Sequence, residues 1–115
     1  MQHHNIILYT TEREDSELLI KVLIEHFDKV LVVTALPELE KQLKDETPKI
    51  ILIDSTSFQR SLMIYYSSLK SVLVGQTCEH FIVSVVSARE ENEAYEAYDN
   101  DIIDDYIITN PLYEK

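Results

Sequence analysis

The chain has 115 residues, 45% of them hydrophobic, with 21 Asp or Glu against 10 Lys or Arg and a formal net charge of −11 at pH 7. That length and apolar content specify one globular domain and argue against disorder. A surface this acidic repels phosphate backbones and anionic bilayers, so direct contact with nucleic acid or with a membrane is not expected; solubility accounts for the charge, and a basic protein surface would complement it.

Taken in chain order, Met-Gln-His-His-Asn runs straight into a first strand at residues 5–9 (NIILY) and does not read as a signal peptide. Asp15 or Ser16 can cap the segment that follows, with Glu14 and Glu17 near its positive end. Leu18, Leu19, Val22, Leu23 and Phe27 then recur at helical spacing. Residues 29–33 (KVLVV) form strand two. Pro37 suits a first helical position, and Leu36, Leu39 and Leu43 mark one face of helix two. Pro48 ends the connection into strand three at residues 49–53.

Helix three carries Leu62, Tyr65, Tyr66, Leu69, Val72 and Leu73 at i, i+3, i+4, i+7 spacing, and the tyrosines read as core. Gly75, the sole glycine, sits where a helix stop needs a left-handed residue. Cys78 is the sole cysteine, which excludes an intrachain disulfide and fits a reducing, cytoplasmic setting; it reads as a small hydrophobe. Residues 81–86 (FIVSVV) are strand four, residues 90–98 an acidic helix four, and residues 105–109 strand five, which Asn110–Pro111 breaks. No apolar stretch is long enough to span a bilayer.

Strict alternation of strand and helix implies parallel strands joined by right-handed crossovers. The expected architecture is a flavodoxin-like, doubly wound α/β fold with a five-stranded sheet in the order 2-1-3-4-5. Only residues 112–115 remain after strand five and its Asn-Pro break, too few for a fifth helix. Part of one sheet face should then lack its cover, which favours self-association as a homodimer or docking to another domain.

The run Ile50–Ile51–Leu52–Ile53 has no polar alternation and ends at Asp54. Such a strand is buried on both faces, and an acid at its carboxyl end lies where open α/β sheets hold their chemistry. In this strand order the same crevice receives Thr10, Thr11 and Glu12 from strand one, Ser55 beside Asp54, Ser87 and Ala88 from strand four, and Thr109, Asn110 and Pro111 from strand five.

Three segments in this order, PKIILIDS, VVSARE and DDYIITNPL, resemble those of response-regulator receiver domains of two-component signalling. The resemblance runs from strand one to Pro111. It implies an Asp that accepts a phosphoryl group from a histidine kinase, an acidic pair that helps it hold Mg²⁺, and a hydroxyl and a Lys that grip the phosphoryl oxygens. It also implies a strand-five aromatic that reshapes the face formed with helix four. Asp54 stands at the acceptor position and Ser87 at the hydroxyl position. Thr10 and Thr11 replace the acidic pair, with Glu12 following, and Asn110 replaces the Lys.

Those replacements remove the carboxylates that Mg²⁺ requires and the cation that neutralises the phosphoryl group. Asp54 therefore has two readings, as a nucleophile or as a structural carboxylate accepting hydrogen bonds from Thr10, Thr11, Ser87 or Asn110. The demand that a buried acid be satisfied favours the second. On strand five, counting back from Asn110 places the aromatic position at Ile107, and counting forward from Asp104–Asp105 places it at Tyr106; a β-bulge would reconcile the two. Tyr95 and Tyr98 are i, i+3 neighbours on a polar helix, a pattern enriched at interfaces. His3 and His4 lack companions at ligand spacing, so no metal site is expected there. The run Asp99, Asp101, Asp104, Asp105 lacks the order of a calcium loop and reads as a solvated turn.

The expectation is a degenerate receiver, a pseudo-receiver. It would be a non-enzymatic signalling module without cofactor, binding a protein partner or effector domain through Tyr95, Tyr98 and Tyr106. The alternative is a phospho-accepting receiver that uses Mg²⁺ and Asp54. A small-ligand module in the same crevice is disfavoured because no glycine-rich phosphate loop follows strand one.

Overall fold

The computed structural model describes residues 6–27, 29–45, 47–55, 62–76 and 78–108. Five strands, β1 (Ile6–Tyr9), β2 (Val30–Val33), β3 (Ile50–Asp54), β4 (Phe81–Val86) and β5 (Asp105–Ile108), alternate with four helices, α1 (Glu17–His26), α2 (Leu36–Gln42), α3 (Leu62–Leu73) and α4 (Glu91–Asp99). The strands form one parallel sheet in the order β2-β1-β3-β4-β5, a flavodoxin-like arrangement. Ile6 pairs with both Val30 and Ile50, so β1 is flanked on both sides, and all four of its residues are buried. That double burial is why its sequence shows no polar alternation.

Successive side chains of a strand point to opposite faces, and each face has its own core. Ile7, Tyr9, Ile51, Ile53 and Ile82 meet Leu39 and Leu43 from the second crossover, Leu62, Tyr66 and Leu69 of α3, and Ala94 and Ala97 of α4. On the other face Leu8 meets Ile20 and Leu23 of α1. Among the described residues α1 is the one helix on that face, and Leu18, Val22 and Ile107 stay exposed. The expected absence of a fifth helix concerns residues 109–115, outside the described residues.

Helix α1 is rotated from the face suggested by Leu18 and Val22, which are 56% and 44% exposed. Its inward stripe is Ser16, Ile20, Leu23 and Phe27, spaced i, i+4, i+7, i+11. The expected capping role of Ser16 is not realised: it occupies the N-cap position of α1 without a side-chain capping bond.

Two left-handed residues stop helices. Gly75 follows α3 with φ 89°. Asp101 follows α4 with φ 60°, and Asp101 and Ile102 donate their N–H groups to the carbonyls of Tyr98 (3.2 Å) and Ala97 (2.9 Å). These are the paired bonds of a Schellman motif. Asp104 then donates its N–H to the Ile82 carbonyl (2.8 Å), and its Oδ2 accepts the Ile82 N–H (2.7 Å), fixing the chain's approach to β5. The acidic turn is thus a helix stop followed by a clamp on β4.

Candidate functional site

Asp54 ends β3 with 0% exposure. Its Oδ2 accepts a 2.5 Å hydrogen bond from Ser16 Oγ, and Ser16 and Thr10 are also fully buried. Ser16 has one hydroxyl proton and two neighbouring acceptors, Asp54 Oδ2 and Thr10 Oγ1 at 2.8 Å. Asp54 Oδ2, the nearer of the two, takes it. Thr10 Oγ1 in turn donates to the Glu12 carbonyl at 3.2 Å.

Ser16 is the site residue that sequence reasoning missed. Its place beside the first helix suggested a cap, but its spacing from Ile20, Leu23 and Phe27 puts it on the buried stripe. Read that way, the sequence does point Ser16 at the sheet. The short 3-10 turn Arg13–Ser16 delivers it there, because the chain must wind once more before α1 begins.

The other expected pocket residues divide. Thr10 lies in the crevice, and Thr11 is half-buried at the bend that follows. The Glu12 side chain is exposed. Ser87 is 5% exposed, but its Oγ donates to Glu90 Oε1 at 2.8 Å, and its N–H donates to the same oxygen at 3.1 Å. Together with the Glu90 N–H on the Ser87 carbonyl (3.0 Å), this capping box starts the 3-10 turn Ala88–Glu90 that leads into α4. The Ser87 hydroxyl proton is therefore directed to a helix start. Thr109, Asn110 and Pro111 lie outside the described residues, as do His3 and His4.

A second buried polar chain runs beside the acid. Ser84 Oγ is 2.8 Å from Ser55 Oγ and 2.7 Å from Tyr66 OH, and all three residues are 0% exposed. Burial pushes the Tyr66 phenol above its usual range, so it remains a neutral hydroxyl. Tyr66 is core, as expected, and its polar end is satisfied across the layers by β4. Helix α4 also supports α3: Glu93 Oε2 accepts the Leu62 N–H at 3.1 Å, an otherwise orphaned donor of the first turn.

On the outer side of α4, Tyr95 and Tyr98 are 55% and 46% exposed. Their ring centroids lie 6.5 Å apart, and Tyr98 meets Tyr106 edge-on at 6.2 Å. The pairing of β4 with β5 runs without interruption from Val83↔Asp105 to Val86↔Ile108, so no bulge intervenes among the described residues of β5. Tyr106 pairs with Ser84 and shares the α4 face, while Ile107 points to the opposite one. Tyr106 therefore packs toward α4 and not toward the α1 side of the sheet.

At the amino end of the sheet, His80 Nδ1 accepts the Lys49 N–H at 3.1 Å. Its Nε2 therefore carries the proton in the neutral ring and faces Gln76 Oε1 (3.4 Å) and Cys78 Sγ (3.7 Å). Burial, with the Lys49 charge, holds His80 below the usual histidine range. An Nε2–H cannot take a proton from the thiol, so this pair is not a nucleophile with its base. Lys49, 8% exposed, reaches Asp45 Oδ1 at 2.7 Å, and that bond, with those from Thr47, lowers the Asp45 carboxyl to about 2.

Among the described residues no three of His, Cys, Asp and Glu stand together as a metal-holding group, and no helix is long and apolar enough to cross a membrane. Comparison with protein-family models, curated proteins and solved structures gives no match.

Proposed function

We propose that the chain is a degenerate receiver, a phosphorylation-independent regulatory module that works through protein contacts on α4 and β5. The observation that carries this reading is the state of Asp54. A phosphoryl acceptor must present its carboxylate to a donor and a metal, whereas Asp54 is 0% exposed and bound by Ser16 at 2.5 Å. Hydroxyl groups satisfy a carboxylate, but they cannot balance the charge of Mg²⁺ or of a phosphoryl group in flight.

Two further observations support it. The Ser87 proton is engaged with Glu90, so the hydroxyl that would follow a phosphoryl group is already a helix cap. The α4 surface instead offers two exposed tyrosines backed by Tyr106, the kind of amphipathic aromatic surface that interfaces use.

Incubation of the chain with Mg²⁺ and acetyl phosphate, followed by intact mass measurement, tests the proposal. The expected result is an unchanged mass. A gain of one phosphoryl group that disappears in Asp54→Asn would establish the phospho-accepting reading instead.

A further inference from the structure

The charge on this chain is concentrated. Between residues 90 and 105 it carries eight carboxylates and no Lys or Arg. Four of them have duties inside the fold: Glu90 binds Ser87, Glu93 binds the Leu62 N–H, Asp104 binds the Ile82 N–H and Asp105 Oδ1 accepts the Tyr106 N–H. Glu91, Glu96, Asp99 and Asp101 are exposed. They lie on α4 and the turn that follows it, the elements that also carry Tyr95 and Tyr98, whose rings are 6.5 Å apart, with Tyr98 6.2 Å from Tyr106.

Helix α4 is seated on the sheet by Ala94 and Ala97, both 0% exposed, and does not use Tyr95 or Tyr98 for that purpose. Tyr95 and Tyr98, backed by the half-buried Tyr106, are therefore an aromatic surface left to solvent on a helix whose exposed charges are all negative. We propose that it is the docking site for an arginine-bearing basic segment of a partner protein. This rests on the reading of the chain as an interaction module and names the chemistry of what it binds.

Arginine suits both features at once. Its guanidinium plane stacks on tyrosine faces, and its fork of N–H donors binds carboxylates in pairs. Lysine offers the charge without the planar fork. The ring spacing matches arginines four apart on a helix, about 6 Å along its axis, or two apart on a strand, about 6.6 Å. A second copy of the chain would bring the same carboxylates against these and is repelled. Phosphate-bearing polymers and anionic lipid surfaces are repelled for the same reason.

The test is fluorescence anisotropy of a dye-labelled peptide with arginine at every fourth position and alanine between, titrated with the full chain at low salt. The expected result is saturable binding that weakens as salt rises and is stronger than that of the lysine counterpart. Tyr98→Ala should lower affinity about fivefold, the equivalent of about 1 kcal/mol for one cation–π contact. The pair Glu96→Gln with Asp99→Asn should also weaken binding. The pair Glu14→Gln with Glu17→Gln, which removes the same charge from the approach to α1, should leave it unchanged. Absence of binding, wild-type affinity in Tyr98→Ala, or equal losses from the two charge pairs would each overturn the assignment. Phosphoryl uptake on Asp54 would instead contradict the interaction-module reading, and it is scored separately by mass.

Discussion

Ser16 Oγ donates to Asp54 Oδ2 at 2.5 Å between residues 38 apart in the chain, and both side chains are fully buried. The bond ties the start of α1 to the end of β3 and satisfies an acid that has no access to water. Ser16→Ala removes one hydrogen-bond donor from this buried acid, at an expected cost of about 1–3 kcal/mol. Urea unfolding should show that loss. Asp54→Asn combined with Ser16→Ala should cost less than the sum of the two single changes, because they share one interaction.

The second buried polar chain makes a separate prediction. Tyr66→Phe keeps the ring that fills the space between α3 and the sheet but deletes the hydroxyl 2.7 Å from Ser84. The expected cost is about 0.5–1.5 kcal/mol, smaller than that of Ser16→Ala because Ser84 retains Ser55 at 2.8 Å. Thermal unfolding of the two variants side by side checks the order.

Acid should weaken the fold through His80 before the carboxylates titrate. Its folded value lies below 6.5, the ordinary value it regains on unfolding, so the folded state prefers the neutral ring. Between the two values the unfolded state binds more protons, and stability rises with pH there. The contribution is complete above pH 6.5 and is lost as pH falls through 6.5 toward the folded value. Protonation of Nδ1 would also eject the Lys49 N–H from its acceptor. His80→Leu should flatten this part of the curve in melting temperatures measured from pH 7.5 down to 5. A second decline, at lower pH, belongs to Asp45, whose folded value of about 2 lies below its ordinary 3.8. That contribution is present above 3.8 and fades as pH falls toward 2.

Asp101 holds a left-handed conformation, φ 60°, that costs a residue with a Cβ more than it costs glycine. Asp101→Gly should stabilise the chain by about 0.5 kcal/mol, the Schellman bonds being kept while the steric cost is removed. Asp101→Val should destabilise it, since a β-branched side chain tolerates this region least. Melting temperatures that move in opposite directions check the pair.

The sheet was legible because its strands are apolar runs with no competing pattern, and residues 50–53 and 81–86 admit no helical period. Chain order, with a helix between each pair of strands, then left few topologies. The orientation of α1 was harder. Leu18, Leu19, Val22, Leu23 and Ile24 crowd one helix with apolar groups, so periodicity alone does not choose its face. Ser16 breaks the tie, but a serine before a helix also fits a cap. Asp54 stood out as the end of a buried run. Its partner came from a 3-10 turn whose winding has no signature in these residues. Tyr106 could be placed only once the unbroken pairing of β4 with β5 fixed its side of the sheet, because one residue of slip reverses the face.

The central claim is that the crevice at Asp54 holds a carboxylate for the fold and not for chemistry. Titration of the isotope-labelled chain with Mg²⁺ and beryllofluoride, followed by amide chemical shifts, tests it most directly. The account expects the amides of Ser16, Asp54, Ser55 and Ser87 to stay in place at every concentration. Saturable shifts at those residues, abolished by Asp54→Asn, would contradict it.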